Sequence, residues 1–144
     1  MASEKRAKWI YWALTAPFVV TMLMASLMLL AGVAPNVEGI THLGYPVYIC
    51  TILGTAKLLG GIAILQDRFR TLKEWAYAGY TFNLLGATAS HAFSGDSFGK
   101  IITPVIILGM VLASYQQWKN AHVLQTKKEK QNERFHVIVP ATEL

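Results

Sequence analysis

The chain has 144 residues, 53% of them hydrophobic and 15% charged, whereas soluble domains carry about a quarter charged residues, so an integral membrane protein of one domain is expected. The net charge of +5 does not point to nucleic acid, because the basic residues flank apolar runs as they do at cytoplasmic membrane edges. A single cysteine, Cys50, excludes an intramolecular disulfide and a CxxC redox pair.

In chain order, a basic start (Lys5, Arg6, Lys8) precedes an apolar run over 9–32. A signal peptide would have a shorter apolar region, and cleavage after Ala34 would leave Pro35 next, so this run reads as a retained first span. Trp9, Tyr11 and Trp12 supply its interfacial aromatic belt. The connection APNVEGITHLGYP, 34–46, starts with a helix stop at Pro35. Asn36 is expected to cap a short helix on which Glu38 and His42 share one face. Gly44, Tyr45 and Pro46 then break it.

The second span is VYICTILGTAKLLGGIAIL, 47–65. About nineteen residues at a rise of about 1.5 Å just cross a bilayer's hydrocarbon core. It carries one charge, Lys57, and a lysine at mid-span costs roughly 2.5–3.5 kcal/mol to insert. A charged connection (Asp67, Arg68, Arg70, Lys73) leads to a third span over 75–93, and a glycine-containing turn, SGDSFGK, to a fourth over 101–118. Pro104 fits in that helix's first turn, whose amides lack helical partners. The polar remainder, 119–144, reads as a solvated helical extension or as a basic segment against anionic lipid headgroups; HVIVP at 136–140 is mildly β-prone.

Eleven basic residues fall before span one, between spans two and three, or after span four; only Lys100 falls on the other side, with Lys57 inside the membrane. The positive-inside rule puts both termini in the cytoplasm, and short connections make neighbouring helices antiparallel. The expected architecture is all-α: an up-and-down bundle of four transmembrane helices over 1–118 and a polar cytoplasmic tail over 119–144.

Lys57 lies eight residues from the cytoplasmic end of its span and Asn83 eight residues from Trp75, each about 12 Å deep. On antiparallel neighbours the two share a level. Either they form a polar centre for the head of a lipophilic ligand, or a Lys–Asn hydrogen bond pins helix register; Lys57 snorkelling toward the cytoplasmic face is a further alternative. Gly79, Asn83, Gly86, Ala87, Ser90 and His91 form a small and polar stripe on span three, expected to meet Gly54, Lys57, Gly60 and Gly61 of span two. His91 lies level with the outer loop bearing Glu38 and His42. Such a set can ligate metal or shuttle protons, but no second cluster supports it, and no metal site is assigned. Asp96 and Glu74 sit at span ends, where solvated or dipole-facing roles are the default. No Ser/His/Asp arrangement, phosphate-cradling loop or nucleotide fingerprint occurs.

Three stretches, HLGYP at 42–46, LGTAKLLGG at 53–61 and LKEWAYAGYTFNLLGATASH at 72–91, together resemble the DoxX-like family of small four-helix bacterial membrane proteins. The resemblance covers roughly 9–118 and implies a bacterial inner-membrane protein, in a family named for a subunit associated with quinone-linked oxidation. One departure is Asn83, standing where many relatives are expected to carry an acidic residue. A Lys57–carboxylate pair, and a proton relay built on it, therefore do not carry over.

Three functions are open on this reading. The first is a redox-associated protein binding a quinone or similar lipophilic molecule, with Lys57, Asn83 and His91 as polar contacts, Tyr45 and Tyr80 lining the entrance, and a partner oxidoreductase carrying electrons. The second is a non-enzymatic scaffold or assembly partner. The third is a small transporter, which would need to oligomerise.

Overall fold

The computed structural model describes residues 2–138, with side chains over 5–134. Helices account for all of its regular structure: α1 (Ala2–Leu30), a short α2 (Ala34–His42), α3 (Tyr48–Leu65), α4 (Arg70–Phe93) and α5 (Phe98–Ile138). Three stretches are long and apolar enough to cross a membrane: Lys5–Leu30, Tyr48–Leu65 and Phe98–Arg134. At 24 residues, α4 also has the length, about 36 Å. Its apolar side chains are interrupted by Thr81, Asn83, Gly86, Thr88, Ser90 and His91, and on composition it falls short of the other three. The polar segment after 118 continues α5 without a break to Ile138; the last two residues of the β-prone 136–140 run lie outside the described residues.

The long helices form a closed ring. α1 packs on α3 and α5, and α4 packs on the same two. Across the ring α1 and α4 meet only through long side chains, Phe18 against Tyr77 and Tyr80 and Tyr11 against Lys73, among the described residues. The core joins Phe18, Val19 and Met22 of α1, Ile64 of α3, Tyr77, Tyr80 and Leu84 of α4, and Val111 and Trp118 of α5. Thr15, Ser26, Lys73 and Ser114 are buried among them, while Val20, Leu27, Leu59, Phe82 and Ile106 face outward. Polar groups inside and bulky apolar groups outside suit a bundle surrounded by lipid, where inter-helix hydrogen bonds and close packing replace the hydrophobic drive.

The glycines of α3 do not meet the stripe of α4 as the sequence leads one to expect. A Cβ on Gly54 would lie 2.8 Å from Leu30 Cγ, and one on Gly61 would lie 2.6 Å from Leu23 Cδ2, so both serve the close approach of α1. Ser26 Oγ donates to Gly54 O at 2.6 Å across that seam. Gly60 turns to α4, against the Tyr80 ring, and Gly61 also lies beside the Tyr80 hydroxyl. Gly79 and Gly86 meet nothing within 4 Å. On the α4 side a tyrosine, not the glycines of the stripe, makes this contact with α3.

Candidate functional site

Two helix ends build a polar cluster beside α2. α4 closes with Gly95 at φ +67°, Gly95 N–H donating to Ala92 O (3.2 Å) and Asp96 N–H to His91 O (3.1 Å). This is a Schellman cap, which needs a left-handed residue at the glycine and folds the next residue back over the last turn. Here that next residue is Asp96. α2 ends the same way: Gly44 at φ +86° donates to Thr41 O (2.9 Å) and Tyr45 N–H to Ile40 O (3.3 Å). That cap returns Tyr45 toward α4, where its hydroxyl and Ser90 Oγ are 2.8 Å apart.

Asp96, with a side chain only 7% exposed, is the hub. Its Oδ2 lies 2.7 Å from His91 Nδ1, and its Oδ1 lies 3.0 Å from both His42 Nε2 and Lys100 Nζ. An ionised carboxylate only accepts, so each histidine donates through the nitrogen facing it. The bonds from His91, then Lys100 and His42, hold the Asp96 carboxyl well below the usual carboxylate range. His91 Nε2 and His42 Nδ1 remain as acceptors without a hydrogen bond among the described residues. A carboxylate that accepts from one imidazole nitrogen fixes the ring's tautomer and leaves the far nitrogen as the acceptor. The two histidines address separate oxygens of Asp96, and no three His, Cys, Asp or Glu side chains are arranged to hold a metal among the described residues.

Of the expected site residues, the structure brings together His91, Tyr45 and His42. Glu38 is exposed on α2 and makes no ion pair with His42, whose ring turns to Asp96 instead. Asn36 does not cap α2. The capping position is Val33, without a side-chain bond, and Pro35 occupies the first turn, where a missing N–H costs nothing.

Lys57 and Asn83 are both half-buried, and no described hydrogen bond joins them. The Tyr80 hydroxyl donates to Lys57 O while its ring occupies the space left by Gly60. A phenol reaching the backbone, rather than an amide reaching the ammonium, therefore ties α3 to α4 at this level.

The opposite end holds a second buried network, which the sequence left among belt and connection residues. Lys73 is 1% exposed. Its Nζ donates to Asp67 Oδ1 at 2.7 Å and stands 5.4 Å from the Tyr11 ring centre and 5.6 Å from that of Trp118. Ser114 Oγ lies 2.8 Å from Tyr77 Oη and 2.6 Å from Thr15 Oγ1. The available sequence signal was aromatic spacing: Tyr11, Tyr77, Tyr115 and Trp118 all sit within one turn of a span end, where a lysine stem packs along rings.

Neither the curated proteins nor the solved structures yielded a match to this chain. The profile of the DoxX-like family matches residues 13–114, which takes in α2, α3 and α4, most of α1 and α5 as far as Ser114. With well over half of its length matched, and three helices of membrane-spanning length and apolarity, the chain belongs to the DoxX-like family of membrane proteins.

Proposed function

We propose that the chain is a four-span inner-membrane protein with both termini cytoplasmic, and that it binds a quinone-class lipophilic molecule through the cluster at the α2 end. α4 would be the polar fourth span, shielded on two sides by α3 and α5. The observation that carries the reading is His91, fixed by Asp96 at 2.7 Å with Nε2 left as an acceptor at the end of a membrane-length helix. Nε2 accepts the hydroxyl hydrogen of a quinol; once protonated it offers N–H to a quinone carbonyl, and Asp96 stabilises the resulting imidazolium. Tyr45 and Ser90 line the approach, and Lys57, Asn83 and Tyr80 lie deeper along the α3–α4 seam. The chain's own side chains carry no electrons, so oxidation requires a partner oxidoreductase.

The test is a binding titration of a short-tailed quinone analogue with the protein in nanodiscs. His91→Ala and Lys57→Met are each expected to weaken binding by roughly tenfold, the worth of one hydrogen bond to a charged or chargeable group. Wild-type affinity in both variants would remove His91 and Lys57 as the binding contacts, and absence of binding by the unaltered protein would remove quinone binding itself. A second reading, a scaffold for other membrane subunits, is favoured by the open faces at Gly79 and Gly86, since exposed small residues let another helix approach closely. Purification after mild solubilisation separates the two: a stable protein partner without co-purified small molecule supports the scaffold.

A further inference from the structure

At the end of the bundle away from α2, the first turn of α4 and the extension of α5 enclose an open cleft of about 500 Å³. Its walls carry Arg70, Lys119, Lys127 and Lys130 against a single carboxylate, Glu74. Lys119 Nζ is drawn back to Tyr115 Oη at 3.1 Å. Arg70, Lys127 and Lys130 form no ion pair among the described residues. Like charges gathered on one concave surface repel unless an anion sits among them.

The inner wall supplies an independent pointer. Trp118 lines the cleft at 7% exposure, and its Nε1, which can only donate, is buried without an acceptor. His122, edge-on to Trp118 with ring centres 5.1 Å apart, has a buried Nδ1 that is likewise unpaired. Native proteins seldom leave such groups unsatisfied, and two adjoining ones on residues that line the same cleft point to a ligand atom that completes the bonding once the wall adjusts to it.

We infer that this cleft binds a phosphate-bearing anion. A phosphate presents several acceptor oxygens at once, enough for an indole N–H, a guanidinium fork and one or two ammonium groups, where a carboxylate offers two. Arg70, at the start of α4, matches it bidentately, and the free amides and positive dipole end of that helix favour the same charge. The anion is either the headgroup of an acidic phospholipid or a free phosphorylated solute. Both present the same chemistry, and neither takes part in the proposed quinone site at the other end.

The test uses the full chain with phosphatidic acid or phosphatidylcholine titrated in detergent and bound lipid counted by native mass spectrometry, alongside calorimetry with inorganic phosphate. Preferential retention of phosphatidic acid by about tenfold, unaffected by millimolar phosphate, identifies the headgroup; displacement by inorganic phosphate identifies the solute. In either case Trp118→Phe, which keeps the ring and loses the N–H, and the exposed pair Lys127→Ala/Lys130→Ala should each reduce binding by about tenfold. Should Trp118→Phe fail to fold, the lysine pair decides. Equal retention of both lipids with no heat from phosphate, or wild-type binding by the lysine pair, overturns the proposal.

Discussion

His91 and Asp96 are joined twice. The Asp96 amide donates to the His91 carbonyl at 3.1 Å, and the Asp96 carboxylate accepts from the His91 ring at 2.7 Å. The backbone bond is part of the cap that ends α4, so the geometry of the side-chain pair is set by the same turn that stops the helix. Removing Gly95's left-handed conformation would therefore misplace the carboxylate, whatever residue remained at 96.

Asp96→Asn keeps the shape of the hub but replaces one accepting oxygen with a donor facing His42, His91 or Lys100. The expected result is a looser α2, seen as faster amide exchange over 34–42, together with weaker quinone-analogue binding. Unchanged exchange in α2 would show that His42 does not anchor it.

Acid should act through the same carboxylate. Its folded-state value lies below the ordinary one, so the stability it contributes is complete above an unfolded value of about 3.9 and declines as pH falls through the folded value. Thermal midpoints should hold level down to about pH 5 and drop below about pH 4, and Asp96→Asn should flatten that drop. An equal acid slope in the variant would assign the loss to other carboxylates.

Glycine substitutions sort the two faces of the ring. Gly61→Ala places a methyl 2.6 Å from Leu23 Cδ2 and should cost about 1–3 kcal/mol by overpacking the α1–α3 seam. Gly79→Ala and Gly86→Ala meet open space and should stabilise the isolated protein by up to about 1 kcal/mol through helix propensity. Unfolding in mild detergent measures all three. If Gly79→Ala instead abolishes recovery of a co-purifying protein, that face is a docking surface.

For Lys73 the ordering of two variants is the sharp outcome. Asp67→Ala leaves the ammonium buried without its carboxylate and should destabilise by roughly 1–3 kcal/mol. Lys73→Met exchanges the buried charge for an apolar chain of similar length and leaves behind an Asp67 side chain that is 73% exposed. It should cost less than Asp67→Ala, despite losing contacts with Tyr11 and Trp118 worth about 1 kcal/mol each. Reversal of that order would show that the two rings hold Lys73 more strongly than Asp67 does.

Apolar run length makes α1, α3 and the first part of α5 legible in the sequence, because one number, hydrocarbon thickness, governs all three. The same rule is weaker for α4, where polar side chains find partners within the protein: Thr81 and Thr88 turn back to their own helix, and Ser90 meets Tyr45. Depth counting placed His91 near the loop bearing His42 correctly. It had no means of finding Asp96 as their bridge, since the carboxylate's direction comes from a reversal of the backbone at Gly95. Counting likewise put Lys57 and Asn83 on one level, yet level is not azimuth, and the phenol of Tyr80 occupies the shared face. The Glu38–His42 spacing favoured a local pair, which a longer-range acid outcompetes.

Thr15 meets Ser114, a partner 99 residues further along the chain. At synthesis rates of about 5–20 residues per second, that partner emerges roughly 5–20 s after Thr15 itself. For that interval the first helix must enter the bilayer with its hydroxyl satisfied by nothing more than the Tyr11 carbonyl one turn back, at 2.7 Å. The self-bond thus lets α1 wait in hydrocarbon as a competent nascent span, and the ring is sealed only when the final helix is delivered by the ribosome.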